Sequence, residues 1–158
     1  MKILLGITGG IAAYKTPELV RQLREAGHDI KVTLTESAKA FVTPLTLQTL
    51  LPNGMFDTLM EPTMQHIELA KWADIFLIAP ASANTLAKLA HGMADDLLST
   101  IYLATTAKIM IAPAMNQAMW KHPATHIHSH QRVEARDPSH WWRAIMRGRP
   151  NASRGGRS

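Results

Sequence analysis

The sequence has no cysteine among its 158 residues, so no disulfide holds the chain, and this is compatible with a cytoplasmic protein. It has no run of about 18 apolar residues, which a membrane-spanning helix would need. The chain enters a strand pattern at once, without the basic region, longer apolar stretch and cleavage site of a secretory signal. We therefore expect a single cytoplasmic domain with no membrane contact.

Excess positive charge is also missing over most of the chain. Residues 1–120 hold nine Lys and Arg against ten Asp and Glu, whereas residues 121–158 hold eight against two. All of the net charge of +5 therefore belongs to the last quarter. Binding to nucleic acid needs a basic face on the folded part of a protein, so we expect no nucleic-acid partner.

Apolar runs and helical patterns alternate along the chain. Buried strands are predicted from apolar runs at 2–7, 75–79 and 108–112, and a further strand is predicted from the alternating pattern at 29–34. Helices are predicted at five ranges: 11–26, 35–38 as a short opening turn, 44–51, 82–90 and 95–104. Residues 52–65 have the composition of a loop. This order predicts an α/β domain with a Rossmann-like parallel sheet and helices on both faces.

Polar and small residues follow each predicted strand, where ligands collect in parallel sheets. They lie after the first strand (Thr8, Gly9, Gly10), the second (Thr35), the third (Ser82, Asn84, Thr85) and the fourth (Ala114, Asn116). Because the carboxyl ends of parallel strands meet at one edge, we expect these residues to converge on one site.

Three segments have alternative interpretations. The turn at Gly9 and Gly10 before a helix suits a phosphate, although it matches neither Gly-x-Gly-x-x-Gly nor the nucleoside-triphosphate loop, and it is otherwise a turn without a ligand. Ser82 is also a good helix cap. Ser99 and Thr100 either reach a phosphate or hydrogen-bond back to their own helix.

His66 and the segment after the last strand supply side chains suited to catalysis. A histidine at residue 66 is a candidate general base or a group that orients a carboxylate, although a lone histidine is more often structural. Asn116 has an amide that can hydrogen-bond a substrate carboxylate or amide. Methionine and tryptophan near it more often simply pack.

Four motifs occur in order and together carry a family resemblance. They read Gly-Ile-Thr-Gly-Gly-Ile-Ala-Ala-Tyr-Lys, His-Ile-x-Leu-x-x-Trp-Ala-Asp, Ala-Pro-Ala-Ser-Ala-Asn-Thr and Pro-Ala-Met-Asn-x-x-Met-Trp. The chain resembles the flavin-containing cysteine decarboxylases. Among them it is most similar to the phosphopantothenoylcysteine decarboxylase domain of the bacterial bifunctional coenzyme A biosynthesis protein. The resemblance covers about residues 1–124, and the last motif is the most specific.

The resemblance implies FMN as cofactor and decarboxylation of 4′-phosphopantothenoylcysteine to 4′-phosphopantetheine. It implies a catalytic role for His66 and a grip on the substrate by Asn116, with Met115 and Met119 beside it. It also implies a set of residues that line the flavin: Thr8, Gly9, Gly10, Thr35, Ser82, Asn84, Thr85, Ser99 and Ala114. Members of the family are trimers, or dodecamers built from trimers, with FMN at the subunit interface.

The end of the chain departs from the family, which continues with further α/β structure and a Cys-Gly-Asp substrate clamp. Residues 125–158 contain three residues of the Ile, Leu and Val class, too few to pack a strand and a helix. We therefore expect an aberrant, disordered basic tail after residue 124. His126, His128 and His130 would share a face on a strand, but without folded support around them we expect no metal site.

Our hypothesis for this tail is a frameshift. Back-translation of residues 139–149 with a shift of one nucleotide permits Ile-Gly-Gly-Val-Gln-Ser-Cys-Gly-Asp-Val, which contains the missing clamp. A natural basic tail is the alternative. Either way we expect a truncated relative without the synthetase domain that often follows in bacteria. Two other functions stay open: a non-catalytic FMN-binding subunit and a flavin prenyltransferase-like enzyme.

Overall fold

The structure, a computed structural model, describes residues 1–56 and 64–125. Five strands form one sheet: β1 (Lys2–Ile7), β2 (Asp29–Leu34), β3 (Met55–Phe56), β4 (Ile75–Ala81) and β5 (Lys108–Pro113). Six α-helices connect or follow them: α1 (Thr16–Glu25), α2 (Pro44–Leu50), α3 (Gln65–Trp72), α4 (Ala83–Ala90), α5 (Leu97–Ala104) and α6 (Gln117–Lys121). Two short 3₁₀ helices cover Ile11–Lys15 and Ser37–Ala40.

The sheet has the order β3-β2-β1-β4-β5, and every pair of neighbouring strands is parallel. The central strand β1 places Leu5 opposite Val32 of β2 and Leu77 of β4. Helices cover both faces of the sheet. The predicted Rossmann-like fold is therefore confirmed.

Two apolar cores lie on opposite faces of the sheet because side chains alternate along each strand. One core joins the β1 residues Ile3, Leu5 and Ile7 to apolar residues of α1 and α2. The other joins Leu4 and Phe76 to apolar residues of α3, α4 and α5. Burial of both faces explains why β1, β4 and β5 are continuous apolar runs in the sequence.

Local sequence signals explain most helix ends. The structure corrects one predicted helix. The helix predicted over residues 11–26 is divided into the 3₁₀ helix Ile11–Lys15 and α1. Pro17 lies in the first turn of α1, where proline is favoured because its missing N–H would have no partner. Gly27 ends the helix with a φ of 88°, a conformation that favours glycine.

The loop predicted over residues 52–65 is partly wrong. Met55 and Phe56 form the edge strand β3, which pairs with Val32 and Thr33 of β2. The helix α3 begins at Gln65. Two residues are too few to show an alternating pattern, so no periodicity predicts this strand.

Proline does not end the two strands that were predicted to stop before it. β4 continues through Pro80 to Ala81, with a shift in register between Ile78 and Ala81, and β5 ends at Pro113 itself. Proline lacks only the N–H donor. Its carbonyl still accepts, and the Pro80 oxygen lies 3.2 Å from the Thr8 nitrogen.

Residues 57–63 lie outside the described residues, as does the predicted tail with His126, His128 and His130, apart from Thr125. Within the ranges 1–56 and 64–125, no helix is both long enough and apolar enough to cross a bilayer.

The Leu98 side chain of α5 lies so close to β1 that any side chain at residue 6 would have to displace it. A Cβ there would lie 2.8 Å from Leu98 Cδ1 and 3.1 Å from Phe76 Cε2. Both neighbours are buried side chains of the second core. Gly6 therefore sets how closely α5 approaches the centre of the sheet.

We predict that Gly6→Ala lowers the free energy of unfolding by about 1–3 kcal/mol, because the methyl group overpacks the Leu98 contact. Urea denaturation of the protein measures it. Gly10→Ala is the matched control, since a Cβ at residue 10 would have no heavy atom within 4 Å. Equal stability of Gly6→Ala and the unaltered protein would show that α5 moves away without cost.

Candidate functional site

The carboxyl ends of β2, β1, β4 and β5 lie side by side at one edge of the sheet. The segments that follow them carry most of the candidate residues. Hydrogen bonds join these segments directly: Thr35 N donates to Ile7 O at 3.0 Å, and Ala114 N donates to Ala81 O at 3.1 Å. The expected convergence at this edge is therefore present in the described structure.

Thr8 connects the end of β1 to the end of β4. Its hydroxyl donates to Pro80 O at 2.6 Å and accepts from Ser82 N at 2.9 Å. The residue is completely buried, with 0% of its surface exposed. Thr8 thus contributes to the site through hydrogen bonds within the protein.

The glycine turn after Thr8 leaves two amide donors open. Gly9 packs against Ser37, since a Cβ at residue 9 would lie 2.6 Å from the Ser37 Cβ and 3.1 Å from its backbone carbon. Gly10 has extended backbone with a φ of −180° and open space where its Cβ would stand. Neither glycine N–H donates to a backbone acceptor among residues 1–56 and 64–125. These amides suit an anion.

Ser37 is a site residue that the sequence reasoning missed. Its hydroxyl lies 3.3 Å from that of Thr35, which is itself buried at the end of β2. The signal was present, because Ser37 follows Thr35 by two residues in the same turn. Together with Gly9, these two hydroxyls form the β1–β2 side of the site.

The first turn of α4 supplies the opposite side. Ser82 caps the helix: its hydroxyl accepts from Thr85 N at 3.2 Å and donates to Thr85 Oγ1 at 3.1 Å. The capping interpretation of Ser82 is therefore correct. The exposed Asn84 side chain and the Thr85 hydroxyl hydrogen have no hydrogen-bond partner within the described ranges, so both remain for a ligand.

The first turn of α5 uses its hydroxyls internally. Asp96 and Ser99 form a capping box, in which Asp96 Oδ1 lies 2.7 Å from Ser99 N and 2.6 Å from Ser99 Oγ. Thr100 Oγ1 donates to Asp96 O at 2.6 Å. Of the two alternatives for Ser99 and Thr100, the structure shows the second: both hydroxyls hydrogen-bond back to Asp96 at the start of their own helix. A flavin contact by Ser99 stays a prediction.

Lys88 holds α4 and α5 together at this end and was also missed by the sequence reasoning. Its ammonium lies 2.9 and 3.1 Å from the two carboxylate oxygens of Asp95 and 4.0 Å from Asp96 Oδ2. The hydrogen bond from Lys88 lowers the pKa of Asp95, and the same bond raises the pKa of Lys88. The pair is seven residues apart across a turn, which no helical spacing rule detects.

His66 lies in the first turn of α3 and is half-buried. The end of α3 is beside the start of β1, because Asp74 N donates to Lys2 O at 2.9 Å. The helix therefore begins about 12 Å closer to the carboxyl edge, given a rise of about 1.5 Å per residue. Among the described residues His66 has no hydrogen-bond partner, so no hydrogen bond joins it to the other candidate residues.

Asn116 caps the short helix α6, with its Oδ1 accepting from Ala118 N at 2.8 Å. Its side-chain NH₂ group makes no hydrogen bond within the part of the chain that the structure describes. Met115 packs against the second core, whereas Met119 is 48% exposed. These residues follow Ala114 and therefore lie beyond the end of β5.

The donor set at this edge consists of amides and hydroxyls. Residues 1–56 and 64–125 contain no cluster of three His, Cys, Asp or Glu side chains that could hold a metal ion. Amide and hydroxyl donors recognise phosphate and other anions instead.

The sequence profile described as Flavoprotein matches residues 1–137. The chain belongs to the flavoprotein family. The coenzyme A biosynthesis bifunctional protein CoaBC of Escherichia coli strain K12 is 56% identical over 128 residues, which is 78% of this chain and 32% of that protein. This flavoprotein chain thus spans about a third of the length of the curated relatives it matches.

Two solved structures are similar to this flavoprotein. A PPC decarboxylase with a cysteine-to-serine mutation, in complex with pantothenoylaminoethenethiol, is 35% identical with a TM-score of 0.68, over 80% of this chain and 74% of that one. The FMN-dependent cysteine decarboxylase TvaF from thioviridamide biosynthesis is 27% identical with a TM-score of 0.82, over 94% and 97%. The resemblance to flavin-containing cysteine decarboxylases is confirmed.

We predict that Asp95→Asn destabilises the protein at pH 7 and that the difference closes in acid. Because the pKa of Asp95 is lowered, its ion pair stabilises the folded state fully above the ordinary carboxyl pKa and loses this effect as the pH falls from that value through the lowered pKa. Urea midpoints at pH 7, 5 and 3 measure the effect, with Asp29→Asn as an exposed carboxylate control. A difference that persists unchanged at pH 3 would assign it to something other than charge.

Proposed function

We propose that this chain binds FMN and uses it to decarboxylate 4′-phosphopantothenoylcysteine, a small-molecule substrate of coenzyme A biosynthesis. The open amides at Gly9 and Gly10, next to the uncommitted polar groups of α4, carry the proposal. Support comes from the identity of 56% with CoaBC.

The residues at the carboxyl edge fit a flavin nucleotide. The open amides of Gly9 and Gly10, with the hydroxyls of Thr35 and Ser37, suit its phosphate, since a phosphate needs several N–H and O–H donors. The first turn of α4 and the backbone at Ala114 would line the rest. Bound FMN supplies the acceptor for a hydride from the substrate and the donor that returns it.

His66 and Asn116 are proposed to act on the substrate. A neutral imidazole at residue 66 can take the proton that leaves the substrate thiol or hold the substrate carboxylate. Because Asn116 Oδ1 is occupied by Ala118 N, its NH₂ group is the part that faces a ligand, and an NH₂ group donates to carboxylate. Met115 and Met119 would pack beside the pantetheine chain.

We propose that the lack of cysteine prevents the last step of the reaction, the reduction of the enethiol. A similar PPC decarboxylase that has lost a cysteine to serine holds pantothenoylaminoethenethiol. We propose that this chain likewise stops at the enethiol. Each turnover then removes carbon dioxide, two electrons and two protons from the substrate, and dioxygen takes up the electrons and protons as hydrogen peroxide.

A non-catalytic FMN-binding subunit is the second candidate, and the missing cysteine is the observation that favours it. Such a subunit would bind FMN at the same edge and release no carbon dioxide. The flavin prenyltransferase alternative has no comparable observation in its favour.

The assembly and location are also proposals. We propose a homotrimer, or a dodecamer built from trimers, in the cytoplasm. Light scattering coupled to gel filtration of the FMN-loaded protein tests the first part, and a monomer under all loading conditions would contradict it.

We predict that the purified protein shows flavin absorbance bands, which bleach when the substrate is added anaerobically and return with air. Mass spectrometry of the products is expected to give the enethiol. Efficient formation of 4′-phosphopantetheine would contradict the early stop. Flavin bands without carbon dioxide from any cysteine conjugate would favour the non-catalytic subunit.

We predict that His66→Asn reduces carbon dioxide release by roughly 10²–10⁴-fold, the range for loss of a general acid or base, with FMN affinity nearly unchanged. Single-turnover release of labelled carbon dioxide measures it. His28→Asn is the control, because His28 lies just before β2 at the opposite edge of the sheet. Equal rates in the two variants would remove His66 from the mechanism.

A further inference from the structure

We infer that Thr8 is a positioning residue of the flavin site, and that its hydroxyl works on the protein instead of on the ligand. The hydroxyl connects the end of β1 to the start of α4, and we name this pair of hydrogen bonds, from Thr8 to Pro80 and from Ser82 to Thr8, the Thr8 latch. The inference rests on the proposed FMN-binding function and deepens it.

The Thr8 hydroxyl has no hydrogen available to donate to a phosphate. A threonine hydroxyl has one hydrogen and two lone pairs. The hydrogen is directed to Pro80 O at 2.6 Å, and one lone pair receives Ser82 N at 2.9 Å. The oxygens of a phosphate act as acceptors at neutral pH, so a phosphate would need a donor, and the only hydrogen of this hydroxyl is already donated to Pro80 O. The complete burial of Thr8 further separates it from a ligand.

The latch continues into the helix. Ser82, whose N–H is fixed by Thr8, accepts with its own hydroxyl from Thr85 N and donates to Thr85 Oγ1. A chain of hydrogen bonds therefore runs from Thr8, at the end of β1, through Ser82 to the first turn of α4. It fixes the uncommitted groups of Asn84 and Thr85 relative to the sheet.

The same residue also fixes the glycine turn, because Gly9 and Gly10 follow it in the sequence. Thr8 N donates to Pro80 O at 3.2 Å, so both donors of Thr8, its N–H and its hydroxyl, are bonded to β4. The two sides of the site, the open amides and the α4 turn, thus take their relative position from one buried side chain. A ligand that contacts both sides depends on this alignment.

Thr33 offers a matched control for the latch. It is as completely buried as Thr8 and lies in the neighbouring strand β2, but its hydroxyl has no hydrogen-bond partner within the described ranges. Replacing either threonine with valine removes the same atoms and keeps the branched shape. The two variants therefore differ in whether a hydrogen bond is lost.

Fluorescence titration of the apoprotein with FMN, well below the unfolding temperature of each variant, tests the inference. We expect Thr8→Val to raise the Kd for FMN by about tenfold or more, because it loses both hydrogen bonds of the latch and leaves the Ser82 amide unpaired. Thr33→Val should stay within about twofold, since no hydrogen bond is lost there. Thr8→Ser, which keeps the hydroxyl, should restore most of the affinity. A Thr8→Val Kd equal to that of Thr33→Val, or a Thr8→Ser as weak as Thr8→Val, would overturn the inference.

Hydrogen exchange of the unaltered apoprotein provides a measurement that needs no variant and no flavin. We expect the Ser82 amide to be protected, because Thr8 accepts from it before any ligand binds. Exchange at the rate of an unstructured peptide would overturn the latch even if the unaltered protein binds FMN tightly. Failure of the unaltered protein to bind FMN would instead overturn the proposed function, and Ser82 protection would still decide the latch.

Discussion

β1 pairs in parallel with β2 on one side and with β4 on the other, and the positions of all other elements depend on this pairing. Strands that run in one direction must be connected across a face of the sheet, so each connection leaves from the carboxyl edge. The glycine turn, the α4 cap and the segment after β5 are therefore brought together by the topology itself. Side-chain chemistry then decides what the edge can bind.

The polar groups at this edge divide into those that build the site and those that are left for a ligand. The hydroxyls of Thr8, Ser82 and Ser99 are committed to hydrogen bonds with neighbouring turns. The glycine amides and the first turn of α4 keep unused donors. Buried hydroxyls that satisfy each other make the edge rigid, and a rigid edge holds its unused donors in place without a ligand.

Most of the fold could be predicted from the sequence because three of the five strands are continuous apolar runs and a fourth, β2, alternates. The edge strand at Met55 and Phe56 could not, since two residues carry no period. The predicted helix over residues 11–26 is divided into a 3₁₀ helix and α1 at Thr16, and this division depends on hydrogen-bond geometry that apolar periodicity does not predict. Within the site, residue types predicted the Ser82 cap, whereas the roles of Thr8 and Lys88 depend on partners 72 and seven residues away.

The amino edge of the sheet has the opposite character. Met1 O accepts from Asp29 N, the Met1 amine lies 3.3 Å from His28 Nδ1, and Lys2 N donates to Asp74. The start of the chain is thus fixed against the end of the sheet remote from the ligand edge. A surface or bead coupled through residue 1 would hold every molecule with its open amides directed into the solution, so immobilisation there orients the protein as well as retaining it.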